Sequence, residues 1–451
     1  MTIGQIIRRY GGAFLRRCPQ VGQSMERTLR SLAACRTAAL GGHATRCTCC
    51  GEVKYYYHSC GNRHCPQCGG NKRAAWLEKR QAELLPVPYF HVVFTVPHEL
   101  SALAMGNRKE LYGILFDAAS ETLLEVAADP KHLGARIGIL MVLHTWGQQL
   151  EHHAHVHCVV PGGGLSADGQ SWVSCRPNWF LPVKVLNKVF RGKYLAKLRE
   201  AYDQGRLRLA GSTSPLAESR GFAEFVRGLY RKEWVVYAKE PFGGPEQMLK
   251  YLTNYTHRVA IGNRRLVKLD NDQVTFTWKD YADNCRRKEM TLQAVEFVRR
   301  FGMHILPKGL VRIRQYGLLS NRDRARRLAH CRALLGVQPS VTVPADATIG
   351  AAPSAAQASP VLPTATATQA FWPSASGLLA SILALALLGG GAASSARSYV
   401  LTSALVLTGL SPAALPAEQT CASCSGRLEI IWRVARPNGR QLEDNWPWNT
   451  S

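Results

Sequence analysis

The chain has 451 residues, enough for two or three domains and at least one sizeable core. Its 56 lysines and arginines against 31 acidic residues give a formal charge of +25, which favours a polyanionic partner, nucleic acid before membrane, because the basic residues are scattered through globular-looking sequence. Fourteen cysteines in a chain of this length, with no apolar stretch in Met1–Gln20, exclude the small disulfide-stapled secreted class and predict a cytoplasmic, nucleoid-associated protein.

Residues 1–40 read as helical, with Ile6, Ile7, Phe14, Leu29 and Leu32 spaced among arginines. Residues 41–75 concentrate cysteine and histidine, so 1–85 is expected to form a small helical and zinc-binding domain. From 86 to 335, strand patterns (Tyr89–Val96, Ile137–Thr145, His155–Val160, Glu233–Ala238, Val274–Trp278) alternate with helix patterns (Leu100–Ala128, Asn187–Tyr202, Glu246–Tyr255, Thr291–Phe301). That order predicts an α+β domain, an antiparallel sheet with helices on one face. Residues 336–451 form an Ala-rich low-complexity tail ending in a lone C-x2-C, Cys421/Cys424. Within it Gly377–Leu388 is apolar, but shorter than the roughly 20 residues a membrane span requires. From Gln338 onward Arg397, Arg427, Arg433, Arg436 and Arg440 balance Asp346, Glu418, Glu429, Glu443 and Asp444, so the charge excess sits in residues 1–337.

Cys47-Thr-Cys-Cys50 and Cys65-Pro-Gln-Cys68 are two C-x2-C knuckles separated by 14 residues. Each knuckle presents two thiolates from a tight turn, and together they predict one tetrahedral Zn²⁺ on Cys47, Cys50, Cys65 and Cys68. The insert between them is too small and polar for a core of its own, so metal supplies its folding energy. His43, Cys49, His58, Cys60 and His64 crowd the same stretch as substitute ligands or ligands of a second ion.

Glu151-His-His-Ala-His-Val-His-Cys158 places His155 and His157 on one face of a strand, with Val156 on the other. Two imidazoles one strand repeat apart can chelate a single ion. If Ile137–Trp146 and His155–Val160 form a hairpin turning near Gln149–His152, His144 lies opposite the pair and is the best-placed candidate for a third ligand, a surface or hydrogen-bonded core histidine being the alternative. Further on, Lys250-Tyr-Leu-Thr-Asn-Tyr-Thr-His-Arg258 spaces Tyr251 and Tyr255 at i, i+4 on one helical face, and Arg258, Arg264 and Arg265 could neutralise phosphates. A phenol is a poor nucleophile at its ordinary pKa, so chemistry there needs a metal or base nearby. Basic clusters at Lys184–Arg199, Arg264–Lys268, Arg286–Lys288 and Arg312–Arg332 could track a nucleic-acid backbone.

The runs LGGHATRCTCCG, YHSCGNRHCPQC, YFHVVFTVPHEL, HTWGQQLEHHAHVHCVVPGGGLS and YLTNYTHRVAIGNRRL, in this order over residues 1–335, resemble the rolling-circle insertion-sequence transposases, two-tyrosine enzymes of the HUH superfamily. The resemblance implies a zinc-binding domain followed by an RRM-like HUH nuclease fold. It casts His155 and His157 as ligands of Mg²⁺ or Mn²⁺, and Tyr251 and Tyr255 as nucleophiles. It also implies metal-dependent nicking and strand transfer on single-stranded or locally unpaired DNA, through a 5′-phosphotyrosine, with no small-molecule substrate. A catalytically inactive, zinc-dependent DNA-binding relic or regulator is the rival reading. The neutral tail is not something the resemblance implies.

Overall fold

The computed structural model describes residues 1–177, 179–239, 260–337 and 427–434, with Glu246, Leu249, Cys421 and Cys424 as isolated positions. The chain divides into one unit of residues 1–340 and 429–451 and a second of residues 341–428. Of the second unit, only Cys421, Cys424, Arg427 and Leu428 are among the described residues. The Gly377–Leu388 run lies outside them, and no described helix is long and apolar enough to cross a membrane.

Helix α1 (Ile3–Arg17) opens on a capping box in which Thr2 and Gln5 each accept from the other's backbone amide. Ile3, Ile6, Ile7 and Phe14 recur at helical spacing and pack with Leu29 and Leu32 of α2 (Gln23–Ala34). A hairpin follows, β1 (Gly42–Cys47) and β2 (Val53–Tyr57), with Gly42 paired to Tyr57 at its open end. The strand β13 (Leu428–Val434) joins β1 on the other side, so part of the expected tail completes a sheet. After α3 (Gly70–Gln81) the chain enters the main sheet.

Five strands build that sheet: β3 (Tyr89–Thr95), β4 (Gly138–Trp146), β5 (His152–Pro161), β8 (Val235–Lys239) and β12 (Ile313–Gly317). Their order is β12-β4-β5-β3-β8 with every neighbour antiparallel, and β5 sits in the middle. The short pair β6 (Gly163–Leu165) and β7 (Trp172–Ser174) extends from it. One face buries Phe90, Val92, Phe94, Met141, Leu143 and Val156 under α4 (Leu100–Gly106), α5 (Arg108–Ala128), α6 (Val183–Asp203) and α7 (Ser219–Arg231). This is the α+β arrangement the strand and helix patterns predict. The expected helix Leu100–Ala128 divides at Asn107, whose side-chain amide donates to the Leu103 and Arg208 carbonyls while its oxygen accepts from the Arg208 amide. Gly106 and Asn107 are poor helix formers, and the tertiary bonds of Asn107 offset the lost helical ones.

A second three-stranded sheet, β9 (Leu266–Asp270), β10 (Gln273–Asp280) and β11 (Arg286–Gln293), packs with α8 (Ala294–Met303) against α1 and α2. Thr291–Gln293 therefore end a strand, and the helix expected from Thr291 starts at Ala294. Phe276, Phe297, Phe301 and Ile261 share one core with Ile3, Ile6 and Leu32. The expected boundary at residue 85 is thus crossed by a continuous core: two short helices bury too little apolar surface alone and take the rest from residues 260–305. A third cluster joins Leu140 and Val159 to Leu328 and Cys331 of α9 (Arg324–Leu334) on the sheet's other face.

Candidate functional site

Side chains alternate along a strand, so the face away from the helices carries His91, Val93 and Thr95 of β3, His144 of β4, and His153, His155 and His157 of β5. The β4–β5 turn closes where the Gly147 amide donates to the Glu151 carbonyl. This register sets His144 opposite His155, and an irregularity after His144 sets Trp146 opposite His152. His152 faces the other way, its Nε2 2.9 Å from the Tyr112 hydroxyl on α5. One nitrogen each of His144, His155 and His157 comes within 4.8 Å of the other two. His144 thus lies opposite His155, at the position in the hairpin expected for it.

Burial holds all three imidazoles neutral, His155 down to about 3 and His144 and His157 well below the ordinary histidine value. Neutral imidazole is the form that ligates a metal. His155 Nδ1 donates to the His153 carbonyl at 2.9 Å, which leaves its Nε2 with a lone pair. His157 Nδ1 shares a 2.8 Å hydrogen bond with His91 Nε2, which orients its ring. Three desolvated imidazole nitrogens fit a divalent ion, and suit Mn²⁺ at least as well as the oxygen-preferring Mg²⁺. Spacing did not reveal His91; its alternation with Val93 and Thr95 opposite the histidine strand is the signal that could have.

The cysteines differ from expectation. Cys65 and Cys68 gather with Cys35 and Cys60, not with Cys47 and Cys50. Sulfur–sulfur separations are 3.3 Å for Cys35–Cys68 and 3.5 Å for both Cys60–Cys68 and Cys35–Cys65. A tetrahedron with Zn–S near 2.3 Å has edges of about 3.8 Å, so the four thiols need only a small expansion to hold Zn²⁺. Hydrogen bonds from Cys60 and Cys65 draw the Cys35 thiol far down, and the same sharing raises Cys65. The hairpin explains this grouping. Cys47 ends β1 at the tip, where Gly51 turns back onto its carbonyl, whereas Cys60 follows β2 back to the open end. A six-residue strand separates the two ends by about 17 Å. Cys35, the C-cap of α2, already lies at the open end, where Arg36 donates to the His58 carbonyl. His64 is engaged elsewhere: its Nε2 accepts from the Leu306 amide, while Arg63 donates to the Leu310 and Pro307 carbonyls.

Tyr251, Tyr255 and Arg258 lie outside the described residues. Arg264 is exposed, but Arg265 turns inward, donating to the Gln148 and Thr277 carbonyls over the Phe276 ring. It fixes β10 to the histidine turn, a structural role in place of the expected phosphate contact. The basic clusters split likewise. Lys193 and Lys197 pair with Glu125 and Glu121, Arg312 is half-buried, and Arg324 meets Glu83, whereas Arg286 and Arg287 are exposed. A cleft of about 540 Å³ opens over the three histidines, and its far wall is Trp278, Lys279, Asp280 and Tyr281.

Residues 138–327 match the protein family described as "Putative transposase", and residues 6–96 the family described as "Transposase zinc-binding domain". The protein named "Putative transposase y4qJ" of Sinorhizobium fredii is 50% identical over 344 residues, covering 76% of this chain and 86% of that protein. The protein named "Transposase for insertion sequence element IS801" of Pseudomonas savastanoi is 28% identical over 301 residues, 65% of this chain and 70% of that protein. No solved structure matches the chain.

Proposed function

The chain belongs to the rolling-circle insertion-sequence transposases, and from that membership we propose that it nicks and rejoins single-stranded DNA through a tyrosine nucleophile beside a metal held by His144, His155 and His157. A transposase acts on DNA; the strand preference and the chemistry are the proposal. The observation that carries it is the convergence of three neutral, desolvated imidazoles in an open cleft on the middle strand of the sheet. A divalent ion bound there, Mg²⁺ or Mn²⁺, supplies Lewis acidity toward a non-bridging oxygen of the scissile phosphate.

The phenolate of Tyr251 or Tyr255 attacks phosphorus. The phenol gives up its proton to solvent, a new bond forms from tyrosine oxygen to phosphorus, the bond from phosphorus to the 3′ oxygen breaks, and the departing 3′ oxygen takes a proton back from solvent, leaving a free 3′-hydroxyl and a 5′-phosphotyrosine. One phosphodiester replaces another, so a 3′-hydroxyl can reverse the step without ATP. His91 and the His153 carbonyl hold the ring nitrogens of the ligating pair in place. Cys35, Cys60, Cys65 and Cys68 would hold Zn²⁺, which would tie the loop after β2 to the end of α2.

The test is incubation of the full chain with labelled single-stranded oligonucleotides carrying the element's ends, with Mn²⁺ or with EDTA. The expected result is a covalent adduct that requires metal and disappears in the Tyr251→Phe/Tyr255→Phe double variant. Binding without an adduct across several end sequences would replace this reading with that of a non-catalytic DNA-binding regulator.

A further inference from the structure

The cleft over the histidines has a second wall that the chemistry above does not use. Strand β10 buries Val274 and Phe276 in the core beneath α8, and Trp278, the next residue on that side, emerges from the core into the cleft. Tyr281 begins the turn after β10 and is 62% exposed. Both residues line the same cleft as His144, His155 and His157.

Their position is held from two sides. Gln148, in the turn that follows β4, donates from Nε2 to the Tyr281 hydroxyl at 3.3 Å and accepts from the Lys279 amide at 3.3 Å. Arg265 grips the Gln148 and Thr277 carbonyls. The charge around the rings favours a polyanion. The Lys279 ammonium lies 5.4 Å from the Tyr281 ring centroid, Arg287 is exposed on β11, and the nearby carboxylates are paired, Asp280 with Lys288 at 2.8 Å and Asp283 with Lys288 at 3.0 Å and Arg286 at 3.8 Å.

An indole and a phenol opening onto a cleft, flanked by cations and next to a centre suited to a phosphate, match the chemistry that holds unpaired nucleobases. Bases inside a duplex have no free faces to offer such a wall. We propose that Trp278 and Tyr281 stack bases of a single DNA strand adjacent to the phosphate presented to the histidine centre. The proposal rests on the reading of this cleft as the cutting site.

The probe is oligothymidylate carrying one fluorescent purine analogue, moved along the strand and bound to the full chain. The expected result is quenching confined to one or two neighbouring positions. Tyr281→Ala and Trp278→Leu each weaken binding on the order of tenfold, and Tyr281→Phe, which keeps the ring, rescues it. Wild-type affinity and quenching in both ring-deleted variants would overturn the proposal. So would loss of the covalent adduct in Tyr281→Phe with binding kept, because the hydroxyl and not the ring would then be the working part. Should Trp278→Leu fail to fold, Tyr281→Ala on its exposed turn decides alone. The two readings separate cleanly: an adduct with wild-type affinity and quenching in the ring-deleted variants removes the stacking wall only, whereas absence of any adduct in the wild-type chain removes the cutting site beneath it.

Discussion

Cys35 caps α2 with its sulfur 3.3 Å from that of Cys68, yet no cysteine stands near it in the chain to mark it as a ligand. A ligand delivered by a helix end carries no spacing signature, which is why paired knuckles pointed to Cys47 and Cys50 instead. Substituting Cys35→Ser is predicted to remove one equivalent of zinc from the purified protein; a zinc content equal to wild type by metal analysis would refute the assignment. His144 was legible for the opposite reason. Two adjacent apolar strands joined by a short polar turn fix a register, and register decides which side chains meet. His91 needed a third strand to be placed, and only long-range pairing supplies that. Because its ring orients His157, His91→Ala should weaken Mn²⁺ binding by about 10- to 100-fold in titration calorimetry while the fold survives. Unchanged affinity would deny it a positioning role.

Among the elements, β3, β4, β5, β8 and β10 were readable from alternation or short apolar runs, because each meets a core on at least one face. The hairpin β1–β2 was not readable: its exposed tyrosines, Tyr55 and Tyr56, give no buried face to mark a period. The turn from β4 to β5 depends on His304 at the end of α8, whose Nε2 donates to the Leu150 carbonyl while Nδ1 accepts from the Thr145 hydroxyl. Burial lowers His304 to about 3, and His152 falls to about 4 for the same first cause. For a histidine depressed in the folded state, the unfolded chain binds the proton more readily. Stability is therefore full above about pH 6.5 and declines as pH falls toward 3, by a few kcal/mol at most for such a group. His304→Gln is predicted to flatten that acid limb in melts followed by circular dichroism. An acid limb as steep as wild type would place the sensitivity elsewhere.

At the scale of the whole molecule, the N-terminal helices and residues 260–305 share one core, and Asn263 accepts from the Ile3 amide across it. The zinc loop is fastened to the same region through Arg63 and His64. A chain starting at residue 86 would expose Phe276, Phe297 and Phe301, and is predicted to lose its cooperative melt; a cooperative melt at wild-type temperature would show the two parts to be independent. Composition could assign the charge to residues 1–337 but not divide it, because whether an arginine serves a phosphate or a carbonyl is set by packing, as Arg265 illustrates. The central claim joins the histidine centre to a tyrosine in the segment YLTNYTHR, which trypsin releases as one peptide between Lys250 and Arg258. Mass spectrometry of the digested DNA adduct therefore tests it most directly. The expected result is a nucleotide attached to that peptide, formed with Mn²⁺ and absent from the His155→Ala/His157→Ala variant. A nucleotide on another peptide, or cleavage that leaves both DNA ends free of protein, would contradict it.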